Sequence, residues 1–181
     1  MKTNNEIKEI AVQVIRKEKK AVEKLEKYIN NDFSEAVKTI FSTKGRVIIT
    51  GIGKSANIGM KIVSTLNSTG TPAIFMHAAD AIHGDLGIIQ TDDVIICISK
   101  SGNTPEIKAL IPLIKNTSNP LIAIVGNTDS FLAAQADLVL NTTVDEEADP
   151  NNLAPTTSTT AQLVMGDALA VALLQCRKFT A

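Results

Sequence analysis

Apolar residues Ile7, Ile10, Ala11, Val14, Ile15, Ala21, Val22, Leu25 and Ile29 recur every three or four positions, with charged residues between them. That period places them on one face of a long amphipathic helix. Asn30, Asn31 and Asp32 interrupt the pattern, and Asp32 followed by Glu35 predicts an N-cap that opens a second, shorter helix through Phe41.

Beyond about residue 43 the pattern changes to short apolar runs. Val47 to Ile49, Ala73 to Met76, Val94 to Ile98, Leu121 to Val125 and Leu138 to Leu140 read as strands. They lack polar alternation, so both faces are expected to be buried, as in a parallel sheet covered by helices. Helical stretches are predicted over about 56–69, 104–117 and 130–136. The expected fold is α/β, a doubly wound five-stranded parallel sheet flanked by helices, with the long helix at the N-terminus. A polar segment over 141–156 precedes a final helix from Thr157 to Cys176, whose run from Ala168 to Leu174 is apolar all round. Such a helix must be buried, either centrally or against another subunit.

With 181 residues, one domain is expected over 1–181, comprising N-terminal helices to residue 43 and an α/β core with its last helix over 44–181. The chain is 44% hydrophobic and 20% charged, the composition of a globular protein. Aromatic residues make up 3% and Trp is absent, which leaves few rings to stack bases and argues against a nucleic-acid partner. The net charge is −1, yet the first 30 residues hold eight Lys or Arg against five Glu. The plainest reading of that excess is a solvated helix face. Cys97 and Cys176 sit in apolar contexts and read as buried thiols, which suits a reducing compartment. No apolar stretch is expected to reach the roughly 18 to 20 residues that span a bilayer, and the Lys- and Glu-rich start does not resemble a signal peptide. A cytoplasmic location without membrane contact is expected.

In open α/β sheets a ligand sits outside the carboxyl ends of the strands, where the strand order reverses. The loop Thr50-Gly51-Ile52-Gly53-Lys54-Ser55 passes from strand to helix and can receive an anion on its N–H groups. It is no Walker A loop, because the position of that motif's first glycine is Ile48, inside the strand. A dinucleotide site would want a carboxylate at the end of the second strand, where Phe75-Met76-His77 stands and Asp80 is a weak substitute. Ser99, Ser101 and Thr104 surround Gly102 directly after the third strand, and Thr104-Pro105 opens a helix. Three hydroxyls with free N–H groups can hold one phosphate; simple capping by Thr104 is the alternative. The cluster Thr156 to Thr160 either caps the last helix or positions a ligand. Lys54, His83, Glu106 and Glu147 are the candidate acids and bases. Each also has a structural reading: Glu106 suits a helix N-terminus, and Glu147 belongs to the acidic run Asp145-Glu146-Glu147. His77 and His83 lack an obvious third ligand, so no metal is expected.

Four segments together carry a family resemblance: Thr50-Gly51-x-Gly53-Lys54-Ser55, Ala81-Ile82-His83-Gly84-Asp85-Leu86-Gly87, Ser99-x-Ser101-Gly102-x-Thr104-x-Glu106-Ile107, and Leu153-Ala154-Pro155-Thr156-x-Ser158-Thr159-Thr160. They resemble the sugar isomerase (SIS) domain family, and within it the arabinose 5-phosphate isomerases, over nearly the whole chain. The resemblance implies a SIS-type, flavodoxin-like fold and interconversion of D-ribulose 5-phosphate and D-arabinose 5-phosphate without a cofactor. That reaction is the entry to 3-deoxy-D-manno-octulosonate (Kdo) for lipopolysaccharide or capsule. It also implies a homotetramer with shared active sites. Ser99, Ser101, Gly102 and Thr104 would then hold phosphate, Lys54, His83, Glu106 and Glu147 would line the reacting carbons, and Gly53, Ser55, Thr156 and Ser158 would contact or shape the sugar site. Kdo or its CMP conjugate is a possible feedback ligand on the same loops. Many relatives continue into a pair of CBS domains, and this sequence stops just short of a family His-Pro-Gly-Gly segment. Either the sequence ends before that histidine or a residue here, His83 being the obvious one, is the base.

Overall fold

The computed structural model describes residues 1–177. Five parallel strands, β1 (Val47–Gly51), β2 (Ala73–His77), β3 (Val94–Ser99), β4 (Leu121–Val125) and β5 (Leu138–Asn141), lie in the order β2-β1-β3-β4-β5. The doubly wound sheet expected from the apolar runs is therefore present. The register aligns Gly51 with His77 and Ile98, Ser99 with Val125, and Val125 with Asn141, so every strand-following loop emerges along one edge.

Alternation along each strand sends side chains to two cores. Ile49, Ile96 and Ile124 join the layer formed by α1 (Asn4–Leu25), α2 (Asn31–Ser42), α3 (Lys54–Ser68) and α7 (Thr157–Arg177). Ile48, Ile95, Cys97 and Ala123 join the opposite layer, formed by α4 (Ala78–Ile82), α5 (Pro105–Lys115) and α6 (Phe131–Gln135). Strand order reverses at β1 and β3, whose following helices α3 and α5 lie on opposite faces. In open α/β sheets that reversal is where a ligand crevice is expected.

Several local expectations need correction. The second helix is capped by Asn30, whose side chain accepts from Phe33 N, rather than by Asp32. The Asp32 carboxylate instead accepts from Val139 N at 3.0 Å and so ties α2 to β5, the edge strand. The first helix stops at Leu25 and a 3-10 turn covers Glu26–Tyr28, because the chain must turn to lay α2 on the sheet. A short helix α4 and a 3-10 turn at Asp85–Ile88, both too brief for a periodic signal, follow β2. Cys97 is buried, and burial pushes its thiol up to about 12. Cys176 is exposed, on an outward position of the last turn of α7.

Helix α7 is long and apolar enough, by length and composition, to cross a membrane, with a mean hydropathy of 1.3. The expectation that no stretch would qualify does not hold. Its apolarity is that of a helix in contact with three others: Met165, Leu169 and Leu173 are buried, and it packs on α1, α2 and α3. Burial is not complete all round, since Val171 stays 46% exposed. The basic face of α1 is not simply solvated either. Lys17 pairs with Glu146 at 3.1 Å, and Lys24 with Asp145 at 2.5 Å, which seats the acidic loop on the first helix.

Candidate active site

The loop between β3 and α5 is held rigidly by its own short residues. Ser99 Oγ accepts from Gly102 N at 3.0 Å, and Ser101 Oγ accepts from Asn103 N at 3.2 Å. Each hydroxyl therefore keeps its own O–H to donate. Gly102 adopts φ +65°, a left-handed conformation that favours glycine. Its carbonyl accepts from Leu132 N at 3.1 Å, and the Asn103 side chain accepts from Phe131 N at 3.1 Å. The start of α6 thus braces the loop from behind.

Thr104 occupies the N-cap of α5 but makes no capping hydrogen bond, and its Oγ1 is buried without a partner among the described residues. Capping is therefore not what this hydroxyl does. The first backbone bond of the helix is Lys108 N to Thr104 O, so the N–H groups of Glu106 and Ile107 precede the helical ladder and point out of its end. Three hydroxyls, a helix dipole and free N–H groups on one short loop are the kind of groups that can receive an anion with several oxygens.

Across the crevice, Gly53 is the N-cap of α3 with φ +60°, and a Cβ there would meet nothing within 4 Å. Lys54 and Ser55 open α3, with Lys54 exposed. His83, also exposed, ends α4 beyond β2, and α4 packs on α5. Strand order places the loops carrying His83, Lys54 and Glu106 on the three adjacent strands β2, β1 and β3, with Glu106 half-buried in the first turn of α5. His77 Nδ1 lies 3.9 Å from Asp80, at the opposite end of α4 from His83. Among the described residues no group of three His, Cys, Asp or Glu gathers where a metal would sit.

Glu147 is the residue whose setting departs most from its sequence context. It is wholly buried, although Asp145 and Glu146 beside it are exposed. Its carboxylate accepts from Lys100 Nζ at 2.6 Å, Ser158 Oγ at 2.5 Å, Thr156 N at 2.9 Å and Ser158 N at 3.1 Å. Burial by itself would raise its pKa, but the Lys100 ammonium, the Ser158 hydroxyl and the two N–H groups outweigh it and bring it down to about 2. Glu147 caps α7 from a distance. Thr156 and Ser158, expected to face a sugar, spend their polar groups on this carboxylate; Thr156 Oγ1 also accepts from Ala148 N at 2.9 Å. One turn further, Gln162 accepts from Ser55 Oγ at 3.2 Å, while its buried Nε2 has no partner among the described residues. Lys100 and Gln162 escape sequence reasoning, because each stands at an unremarked position and acquires its role only through a distant partner.

A protein-family model described as the SIS domain matches residues 40–172. The chain is 50% identical over 171 residues to the arabinose 5-phosphate isomerase KdsD of Pseudomonas aeruginosa, covering 94% of this chain and 52% of that protein. It is likewise 50% identical over 169 residues to the KdsD of Escherichia coli K12, covering 93% of this chain and 52% of the relative. The chain thus spans about half the length of the curated relatives it matches. A solved structure, an Escherichia coli CFT073 protein in complex with arabinose 5-phosphate, superposes with a TM-score of 0.95 at 41% identity, over 99% of this chain and 95% of that one. The strand order, the loops gathered at one edge and the matched span of the sequence agree, and they place this chain in the SIS domain family.

Proposed function

We propose that this chain is an aldose–ketose isomerase that interconverts D-ribulose 5-phosphate and D-arabinose 5-phosphate through an enediolate. The observation that carries the proposal is the buried Thr104 hydroxyl at the start of α5, which has no partner among the described residues, with Ser99 and Ser101 on the same loop. A phosphate monoester is the kind of ligand that uses several neutral donors at a helix N-terminus. The relatives named arabinose 5-phosphate isomerase, and the relative solved with arabinose 5-phosphate, support a five-carbon sugar on that phosphate.

In this reading Ser99, Ser101, Gly102 and Thr104 receive the phosphate. The reaction moves a proton between carbons 1 and 2 and another between their oxygens. No electrons leave the sugar, so the chemistry calls on no redox cofactor. Lys54 is assigned to stabilise the oxyanion of the enediolate, and Glu106 and His83 are assigned to carry protons. Gly53 and Ser55 shape the Lys54 turn. Glu147 is a poor proton acceptor while Lys100 holds it, and we assign it to building the wall of the site with Thr156 and Ser158.

Residues 1–181 act as one SIS domain in this proposal. The sugar side is open in the single chain, where Lys54 and His83 are exposed. The apolar stripe of α1, buried at Ala21 and Leu25, continues outward as Ile7 at 51% and Ile10 at 43% exposure. Both features fit a homotetramer whose copies close one another's sites. Two unpaired cysteines among the described residues fit the reducing cytoplasm. The product would feed Kdo formation for lipopolysaccharide or capsule, and Kdo or its CMP conjugate would bind the same anion-receiving loops as a feedback ligand. A titration in which neither competes with ribulose 5-phosphate removes that last idea.

Incubating the purified protein with ribulose 5-phosphate in D₂O and following the sugars by NMR tests the activity. Arabinose 5-phosphate with deuterium at carbon 2 is expected. Turnover of a hexulose 6-phosphate alone would make the chain a different phosphosugar isomerase. Saturable binding of phosphosugars without turnover or exchange would make it a sensor.

A further inference from the structure

Lys100 stands between Ser99 and Ser101 in the chain, and its side chain reaches out of that loop to a distant carboxylate. Its ammonium lies 2.6 Å from Glu147 Oε1. Its backbone is fixed independently, because the Lys100 carbonyl accepts from Gly126 N at 3.1 Å and a Cβ on Gly126 would stand 2.8 Å from that oxygen. Lys100 is therefore anchored in the phosphate loop at one end and on a wholly buried carboxylate at the other.

The carboxylate passes the connection on. Glu147 binds the N–H groups of Thr156 and Ser158 and the Ser158 hydroxyl, and so fixes the first turn of α7. Four residues along the same helix face, Gln162 accepts from Ser55 Oγ at 3.2 Å, next to Lys54 at the start of α3. Lys100, Glu147, Ser158, Gln162 and Ser55 form a continuous path from the phosphate-binding side of the crevice to the sugar-binding side, and it bypasses the sheet.

We infer that Lys100 is a positioning residue, which through Glu147 and the start of α7 sets Lys54 in register with a phosphate held by the Ser99 to Thr104 loop. The inference rests on the isomerase reading above. The path needs a charged carboxylate, and the other charged groups around it are accounted for. Asp145 and Glu146 are engaged by Lys17, Lys20 and Lys24 of α1, and Asp149 accepts from Leu153 N and Ala154 N. Among the described residues, Lys100 is the cation that faces Glu147.

Three variants test this: Lys100→Met, Lys100→Arg, and Lys100→Met combined with Glu147→Gln, which leaves no unpaired charge and keeps the test open should the first variant fold poorly. With ribulose 5-phosphate, Lys100→Met is expected to lower kcat on the order of tenfold with KM nearly unchanged, and Lys100→Arg to restore most of it. The double variant is expected to lose no more than Lys100→Met alone, and a clearly larger loss overturns the inference. In ¹³C-labelled protein the Glu147 carboxyl resonance, which needs no turnover, is expected to titrate at higher pH in Lys100→Met than in the unaltered chain. An increase in KM with kcat intact would make Lys100 a direct phosphate ligand and overturn the inference, as would an unmoved Glu147 titration. If the unaltered protein fails to isomerise while the Glu147 titration moves as expected, the isomerase reading falls and the Lys100–Glu147 coupling stands.

Discussion

Gly102 and Ser130 share a space with no room for another carbon: a Cβ built on Gly102 would lie 2.5 Å from Ser130 Cβ and closer still to its hydroxyl. Ser130 is itself buried and caps α6 through Ala133 N at 3.3 Å. The Ser99 to Thr104 loop is thus pressed against the start of a neighbouring helix. Gly102→Ala meets both this contact and the φ of +65°, and is expected to cost about 1–3 kcal/mol of stability. It should also raise KM for ribulose 5-phosphate more than it lowers kcat. Thermal unfolding and steady-state kinetics on the same preparation check both.

Thr104 and Ser99 should respond differently to loss of the hydroxyl. Thr104 Oγ1 has no protein partner among the described residues, so Thr104→Val is expected to leave stability within about 1 kcal/mol, while phosphosugar binding weakens by about 1.5–3 kcal/mol. Ser99→Ala removes the acceptor of Gly102 N as well, so stability and binding should fall together. Calorimetric titration with ribulose 5-phosphate, alongside urea unfolding, separates the two.

Glu147 makes stability depend on pH at the acid end. Its folded-state value of about 2 lies below the ordinary 4.5, so the stabilisation is present above about pH 4.5 and is lost as pH falls toward 2. The full amount is roughly 3 kcal/mol. Glu147→Gln should be less stable at pH 7, with a flatter stability profile between pH 4.5 and 2 than the unaltered chain. Urea midpoints measured across that range provide the comparison.

Proton carriers and phosphate ligands should divide kinetically. Glu106→Gln, His83→Ala and Lys54→Met are expected to lower kcat with phosphate affinity nearly intact, whereas Ser101→Ala mainly raises KM. If Glu106→Gln and Ser101→Ala shift the same constant, the division of roles is wrong.

The exposed half of the α1 stripe offers a test of assembly. Ile10→Asp leaves the buried Ala21 and Leu25 contacts untouched, so the monomer fold should survive while sedimentation shifts from tetramer to smaller species. An unchanged sedimentation coefficient would remove α1 from the interface.

Much of the architecture was legible because its signals are local and redundant. Runs such as Val94 to Ile98 and Leu121 to Val125 are short, continuously apolar and rich in β-branched residues, as strands buried on both faces are, and both are wholly buried. Ser99, Ser101, Gly102 and Thr104 could be read as an anion loop because hydroxyls, a glycine and a helix start within six residues carry their own geometry. The ends of elements were less legible: Asp32 with Glu35 reads as a cap on paper, but its carboxylate accepts from Val139 N, more than a hundred residues away at the edge of the sheet, and Asn30 caps the helix instead.

By itself, then, the sequence determined the α/β class, the parallel sheet, the position of the Ser99 to Thr104 loop and the identity of the polar groups near it. Only the tertiary structure decided what those groups do to one another. Asp145, Glu146 and Glu147 are one acidic run in the chain, but in the fold two of them meet lysines of α1 and the third is buried against Lys100 and the start of α7. The physical reason is that a hydrophobic pattern is a property of neighbours along the chain, whereas the charge state and availability of a buried carboxylate depend on donors brought to it from elsewhere.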